Sequence, residues 1–173
     1  MPVKTIRAWL GLDRADTPEH APLRELVDAL DRLDPERARY LARFAYLLGR
    51  VAHADRQVSE DETRVMEAHV EQQGGLTSDQ AVLVVRLAKT SNLLFGGTAD
   101  FTVAQEFAES ASYEEKLALA RCLFGVGAAD QEISIAEESE IHRITNHLKI
   151  LPADLTRLRL EHRRFLPGLT GRQ

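Results

Sequence analysis

The chain repeats part of its own sequence at an offset of 75 residues. The segment Ala54–Glu62 aligns without a gap with the segment Ala129–Glu137, and both carry Asp, an aliphatic residue, Ser and Glu at the same places. The match continues on both sides, for example where Val51 aligns with Val126. Self-similarity at a fixed offset is the sequence signature of duplicated supersecondary units, so the sequence predicts two related halves.

Helix-start signals recur along the chain and predict an all-α fold. Asp34 precedes Pro35, which places a capping side chain directly before a residue that tolerates the first helical position well. Four capping boxes, each a Ser or Thr followed three residues later by Glu or Gln, begin at Ser59, Thr77, Ser112 and Ser134. Apolar residues recur at helical spacing, and the alternation typical of strands is nearly absent. We expect about seven to nine helices, near residues 18–33, 35–54, 60–72, 78–93, 101–110, 113–129, 135–148 and 152–164.

The length of the chain and the spacing of these signals predict one domain with two flanking segments. A chain of 173 residues suits a single domain. We place the helical domain at 17–165, with its two pseudo-symmetric repeats at about 35–93 and about 112–165. Residues 1–16 are expected to form an N-terminal amphipathic segment, and residues 166–173 a flexible tail.

The composition argues against several classes of function. With 44 % hydrophobic and 28 % charged residues, the chain has the composition of an ordinary soluble protein. A formal net charge of -5 disfavours binding to nucleic acid through its phosphates, so no nucleic-acid partner is expected. Cys122 is the only cysteine, which excludes a disulfide within the chain, and its apolar neighbours predict burial. No apolar run approaches the length of a bilayer span or a secretory signal, and we expect a cytoplasmic protein.

Each copy of the repeat places carboxylates on both sides of a serine at a predicted helix-turn-helix corner. Asp55 and Glu62 flank the serine of the first copy, and Asp130 and Glu137 flank that of the second. The spacing matches the second half of a calcium-binding EF-hand loop, but the first half is missing, so a true EF-hand is not expected. A helix-capping role alone is enough to explain the serine and the following glutamate of each copy. The alternative is that the four carboxylates are oxygen ligands of a divalent cation such as Ca²⁺.

The second copy is the stronger candidate for a cation site. From Asp130 onward it contains a run of acidic residues with no basic residue before Arg143. In the first copy Arg56 and Arg64 interrupt the acidic residues, and ion pairs can absorb their charge. The sequence therefore predicts a local negative field at the second corner. The histidines show none of the usual zinc-ligand spacings and are expected on helix surfaces.

The doubled motif Ala-Asp-x-x-Val/Ile-Ser-x-x-Glu, with the stretch from Ser112 to Asp130, resembles the TerB-like family, which is named for bacterial tellurite resistance proteins. The resemblance covers about residues 20–160. It implies a compact all-α domain of two pseudo-symmetric halves, in the bacterial cytoplasm or at the inner face of the membrane. It also implies a non-enzymatic role in a stress-response or metal-linked complex, with acidic turn residues that meet divalent cations. The chain departs from the family pattern at Arg56 and Gln131, where many relatives have glycine.

Two hypotheses for the function follow. The first is a non-enzymatic protein-interaction module that responds to a divalent cation at Asp130 and Glu137 and whose partners are other proteins of a stress-response complex. The sequence contains neither a nucleophile elbow nor a phosphate-binding glycine loop, and no enzyme is expected. The alternative is a metal-dependent hydrolase or small-ligand carrier that uses the same carboxylates. A deep apolar pocket beside them would favour the alternative.

Two segments are candidates for peripheral contact with a membrane or with a partner. Residues 3–10 combine Trp9 and other apolar residues with two basic ones, as interfacial helices do, although packing on the domain is the simpler expectation. The basic C-terminal end either complements a helix C-terminus or attracts anionic lipid or an acidic partner; its basic residues are Arg157, Arg159, Arg163, Arg164 and Arg172.

Overall fold

The computed structural model describes residues 21–54, 59–91, 100–129 and 132–166, and these residues form helices joined by turns. The α-helices, in chain order, are α1 (Ala21–Asp31), α2 (Pro35–Ala52), α3 (Glu60–Gln73), α4 (Ser78–Ser91), α5 (Asp100–Ser110), α6 (Tyr113–Gly127), α7 (Ile135–His147) and α8 (Pro152–Glu161). A short 3₁₀ helix, Arg163–Phe165, follows α8. The described part of the chain contains no β-strand, and the prediction of an all-α fold is confirmed.

Side-chain caps at the helix N-termini explain why three of the helices begin where they do. At Ser59, Ser112 and Ser134 the hydroxyl accepts the amide N–H three residues later, and the Glu at that position accepts the serine N–H at 2.8 Å. Each pair satisfies two amides that have no partner inside the helix. Three of the four predicted capping boxes are therefore complete.

The other predicted helix starts show how local signals and long-range contacts compete. Asp34 caps α2 as predicted and accepts two amides of the first turn at 3.1 and 3.3 Å. The Thr77 hydroxyl accepts the Gln80 amide at 3.3 Å, but the Gln80 side-chain oxygen accepts from Arg37 of α2 at 2.9 Å. That oxygen is thus engaged by another helix rather than by the start of its own. α5 begins at Asp100, one residue earlier than predicted.

The helix C-termini agree less closely with the prediction, because a C-terminus carries fewer sequence signals than a capped N-terminus. α1, α2 and α6 each end two residues earlier than the sequence predicts. After α3, Gly75 adopts a φ of 66°, a backbone conformation that glycine reaches without strain because it has no Cβ.

α2 is the central helix and contacts α1, α4, α5, α6 and α7. It approaches α4 closely because Gly49 has no side chain: a Cβ there would lie 2.7 Å from the Ala88 carbonyl oxygen. Against α5, the ring of Tyr40 stacks on Phe107 with 5.5 Å between the centroids. Apolar residues from each of the described α-helices join one buried cluster. Cys122 lies within it, as predicted, and burial raises the pKa of its thiol to about 12.

α8 is attached to this core by polar contacts and by one buried leucine. At its start, the Leu151 N–H donates to the Tyr113 hydroxyl at 3.1 Å, and that hydroxyl donates to Asp154 at 2.6 Å. Further along, Arg159 donates to Glu138 of α7 at 2.7 Å. These contacts link the start of α6, the body of α7 and α8.

The two predicted halves agree at their corners and differ beyond them. α2 and α6 end, and α3 and α7 begin, at positions that are 75 residues apart. The residues before the next helix of each half, α4 and α8, differ in burial. Leu76 is 6 % exposed, whereas its counterpart Leu151 is 59 % exposed. The pseudo-symmetry of the two halves stays a prediction.

The predicted N-terminal segment, 1–16, and residues 167–173 lie outside the described residues. Leu166 is fully buried, so the packed body includes the first residue of the segment predicted as a tail. The other domain bounds stay predictions. None of the helices that the structure describes combines the length and the apolar character that crossing a bilayer requires.

Candidate functional site at two helix corners

The first corner comprises residues 53–62 and joins α2 to α3. Ser59 caps α3, and the Glu62 carboxylate accepts the Ser59 N–H at 2.8 Å, which holds this carboxylate at the helix start. Asp55 lies outside the described residues. Of the first predicted ligand pair, the structure therefore places Glu62, and places it as a capping residue.

The second corner comprises residues 128–137 and joins α6 to α7. Ile133 is fully buried and anchors the turn in the core. Ser134 caps α7, and Glu137 accepts the Ser134 N–H at 2.8 Å. Glu137 is only 5 % exposed, an unusual degree of burial for a carboxylate. Asp130 lies outside the described residues.

The capping role of the two glutamates is compatible with a ligand role. A carboxylate has about four lone-pair sites, so it can accept the serine N–H and further partners at the same time. Among the residues that the structure describes, no three His, Cys, Asp or Glu side chains are grouped so that they could hold a metal ion. The predicted cation ligands Asp55, Glu62, Asp130 and Glu137 therefore stay a prediction.

Basic side chains from other helices balance the acidic residues at both corners. At the first corner a lysine of α4 lies 3.1 Å from the carboxylate of Glu60. Directly after the second corner, Glu138 of α7 lies 2.6 Å from Arg159 of α8. Glu140 lies 3.9 Å from Arg50 of α2 and 3.1 Å from an arginine of its own helix. The negative field predicted at the second corner is therefore reduced by arginines, two of which lie far away in the sequence.

His53 ends α2 at the first corner and is half-buried. Its backbone N–H donates to the Gly49 carbonyl at 3.0 Å. Burial lowers the pKa of His53 below its ordinary value of 6.5, and hydrogen bonds with the backbone of Ala88 and Lys89 oppose this effect. The imidazole is therefore neutral near pH 7 and adds no positive charge that would repel a cation.

The basic C-terminal end is partly neutralised within the fold. Arg157 lies 2.8 Å from Asp154, and Arg159 is the partner of a glutamate in α7. Arg163 and Arg164 are exposed beyond α8. Residues 3–10 and Arg172 lie outside the described residues, and contact with anionic lipid or an acidic partner stays a prediction.

A histidine contact between α3 and α6 could not be read from the sequence. His69 is half-buried rather than on the surface, and its Nε2 donates to the Arg121 carbonyl at 3.2 Å. Its ring occupies the space left by Gly125, where a Cβ would lie 1.8 Å from Nε2. The His162 ring stacks on Phe124 and lies 6.4 Å from the His69 ring. The one sequence feature that indicated this contact was Gly125, a glycine inside a predicted helix.

A groove that was not predicted from the sequence lies at the end of α2 remote from the first corner. The groove has a volume of about 460 Å³ and lies between the first half of α2, the end of α5 and the start of α6. Arg37, Arg39 and Arg43 line it, with Tyr40 between them. Three arginines within one short stretch of an acidic chain were the sequence signal of this groove.

Comparison with known proteins supports the family resemblance. The family model described as tellurite resistance protein TerB matches residues 40–160, which is more than two thirds of the chain and includes both corners. No curated protein and no solved structure matches the chain. The doubled acidic motif, the all-α fold and this match lead to one conclusion: the chain belongs to the TerB family of tellurite resistance proteins.

Proposed function

We propose that this protein is a non-enzymatic interaction module that acts in a bacterial stress or metal response of the tellurite type. Its location in this proposal is the cytoplasm or the inner face of the membrane, and its partners are other proteins of a stress-response complex. The observation that carries the proposal is the TerB match across residues 40–160. The module responds to a divalent cation such as Ca²⁺ at the second corner.

The position of Glu137 supports the cation response. The residue is 5 % exposed, and its carboxylate is oriented by the hydrogen bond from the Ser134 N–H. Water screens a buried charge less than an exposed one, so a cation near Glu137 is attracted more strongly than one near an exposed glutamate. Asp130 lies four residues before Ser134 in the sequence and supplies the second carboxylate in this proposal.

The first corner is the weaker candidate for the same chemistry. Glu62 is less buried than Glu137. Glu60, two residues before it, already pairs with Lys89, whose ammonium group competes with a metal cation for the carboxylate. We therefore assign the cation response to Asp130 and Glu137, with Asp55 and Glu62 as a weaker second pair.

Thermal unfolding tests the cation response. The protein is first unfolded in EDTA and then in an excess of Ca²⁺, Mn²⁺ or Mg²⁺. A cation at 100 times its dissociation constant should stabilise the folded state by about 2.7 kcal/mol. For a chain of this size, that corresponds to a rise of roughly 5–10 °C in the unfolding midpoint.

Two matched variants locate the response. Asp130→Asn removes a carboxylate of the second corner and should abolish the rise in midpoint, whereas Asp55→Asn, the same change at the first corner, should leave most of it. A rise of equal size in Asp130→Asn and in the parent protein would place the site elsewhere. Absence of any rise with all three cations would remove the cation response from the proposal.

A further inference from the structure

The groove on α2 has the size and the lining of a site for a small ligand. Its volume of about 460 Å³ falls in the usual range for ligand pockets, roughly 300–1,000 Å³. Arg37, Arg39 and Arg43 contribute three guanidinium groups, and Ser110 adds a hydroxyl. Tyr40 lies between the arginines and is held by stacking on a phenylalanine of the core at 5.5 Å. The cationic side chains thus lie around a fixed aromatic surface.

The acidic residues that also line the groove belong to the first turns of two helices. These residues are Asp34, Glu36 and Glu115, against three lining arginines. Asp34 accepts the amides of the residues at positions 36 and 37, and Glu115 accepts the Ser112 N–H at 2.8 Å. Carboxylates at these positions offset the partial positive charge of a helix N-terminus. Part of their negative charge is therefore balanced by α2 and α6, and less of it is available to neutralise the arginines.

Arg37 is the guanidinium best able to receive an anion. Its partners among the described residues are neutral: it donates to the Gln80 side-chain oxygen at 2.9 Å and lies 5.0 Å from the centre of the Tyr40 ring. A guanidinium has five N–H donors, of which this arrangement uses one. The contact with the ring and the hydrogen bond also orient the group in advance, which reduces the conformational entropy lost on binding.

Arg43 provides further donors on the α5 side of the groove, where the Ser110 hydroxyl is already used because it donates to the Glu106 carbonyl at 2.8 Å. Arg43 donates through Nε to Glu106 at 3.2 Å and through one terminal nitrogen to the Ser110 hydroxyl at 3.3 Å. The remaining N–H groups of Arg43 are not used by these two bonds. Guanidinium groups form bidentate pairs with phosphate, and a phosphate group has enough oxygens to accept from more than one of the arginines that α2 places in the groove.

We propose that this groove binds a small, freely diffusing ligand through a phosphate group, with Arg37 as the principal charge partner and Arg39 and Arg43 as additional ones. The phosphate oxygens accept from the guanidinium groups, and the rest of the ligand lies along Tyr40. This site is independent of the cation response at the second corner.

Binding of inorganic phosphate to the isotopically labelled 173-residue chain tests the proposal. Amide ¹H–¹⁵N spectra are recorded during a phosphate titration in which potassium chloride keeps the ionic strength constant. The expected shifts are confined to residues 34–43 and 110–115. Arg37→Gln should weaken binding about tenfold, because a hydrogen bond to a charged group is lost, and Arg37→Lys should weaken it less because the charge remains.

Arg157→Gln is the matched control, since it removes the same charge from α8, outside the groove. It should leave phosphate binding unchanged. An equal loss in Arg157→Gln and Arg37→Gln would show a general charge effect and overturn the proposal, as would shifts that chloride alone reproduces. Binding to vesicles that contain phosphatidic acid, without binding to free phosphate, would also overturn it in favour of a membrane site.

Discussion

Replacement of Gly125 by alanine is predicted to destabilise the protein, although alanine is the better helix former. Gly125 lies within α6, and a Cβ at this position would lie 1.8 Å from Nε2 and 2.0 Å from Cδ2 of the His69 ring. Atoms this close cannot coexist, so the imidazole would have to leave its place between α3 and α6. The hydrogen bond from His69 to the Arg121 carbonyl would be lost with it.

The size of the effect follows from three contributions. Overpacking of a well-packed site destabilises a protein by about 1–3 kcal/mol. Loss of the hydrogen bond destabilises the protein by about 1 kcal/mol more, whereas the higher helix propensity of alanine stabilises it by about 1 kcal/mol. The last two nearly cancel, so Gly125→Ala should lower the free energy of unfolding by about 1–3 kcal/mol.

Urea unfolding of a double-mutant cycle isolates the contact between the two residues. In a His69→Ala background the clash is absent, and Gly125→Ala should then stabilise the protein by up to about 1 kcal/mol. The sign of the effect should therefore change with the residue at position 69. Gly127→Ala is the control in the same helix, because its Cβ would meet Ile133 at an ordinary contact distance of 3.4 Å.

Two results would refute this reasoning. One is a Gly125→Ala protein that is as stable as the parent or more stable. The other is an equal effect of Gly125→Ala in the parent and in the His69→Ala background, because the residues would then not be coupled.

Two further predictions concern the second corner and the buried histidines. Ser134→Ala removes the cap of α7 and should lower the free energy of unfolding, measured in urea, by about 1 kcal/mol. The cation-dependent rise in the unfolding midpoint should persist in this variant. Unchanged stability would contradict the role of the cap. Burial lowers the pKa of both His53 and His69 below 6.5. Between pH 6.5 and these lowered pKa values the unfolded chain therefore binds more protons than the folded one. The free energy of unfolding should fall as the pH drops through this range. His69→Gln should show a weaker fall than the parent when urea unfolding is compared at about pH 7.5 and about pH 5.5, and identical pH profiles would contradict this assignment.

The sequence predicted the helix N-termini well because the signals for them are local. A capping box such as Ser134 with Glu137 satisfies its own amides within one turn, whatever the rest of the chain does. The capping box predicted at Thr77 is incomplete because the Gln80 side-chain oxygen accepts from Arg37, 43 residues earlier in the sequence. Sequence spacing carries no information about such a partner.

The charge at the candidate site could not be predicted from the sequence for the same reason. Along the sequence the acidic run at the second corner is unbalanced, yet α8 brings Arg159 to Glu138 and α2 brings Arg50 towards Glu140. The contact of His69 with Gly125 also depends on the packing of α3 against α6. Sequence reasoning therefore predicted the fold class, the family and the capping glutamates, whereas contacts between helices required the structure.

The most direct test of the central claim, a cation site at the second corner, is the paramagnetic broadening of amide signals by Mn²⁺. At substoichiometric Mn²⁺, the account predicts loss of the signals of residues 128–137, recovery of those signals with EDTA, and no loss in Asp130→Asn. Broadening centred on another part of the chain, or broadening that persists in Asp130→Asn, would contradict it.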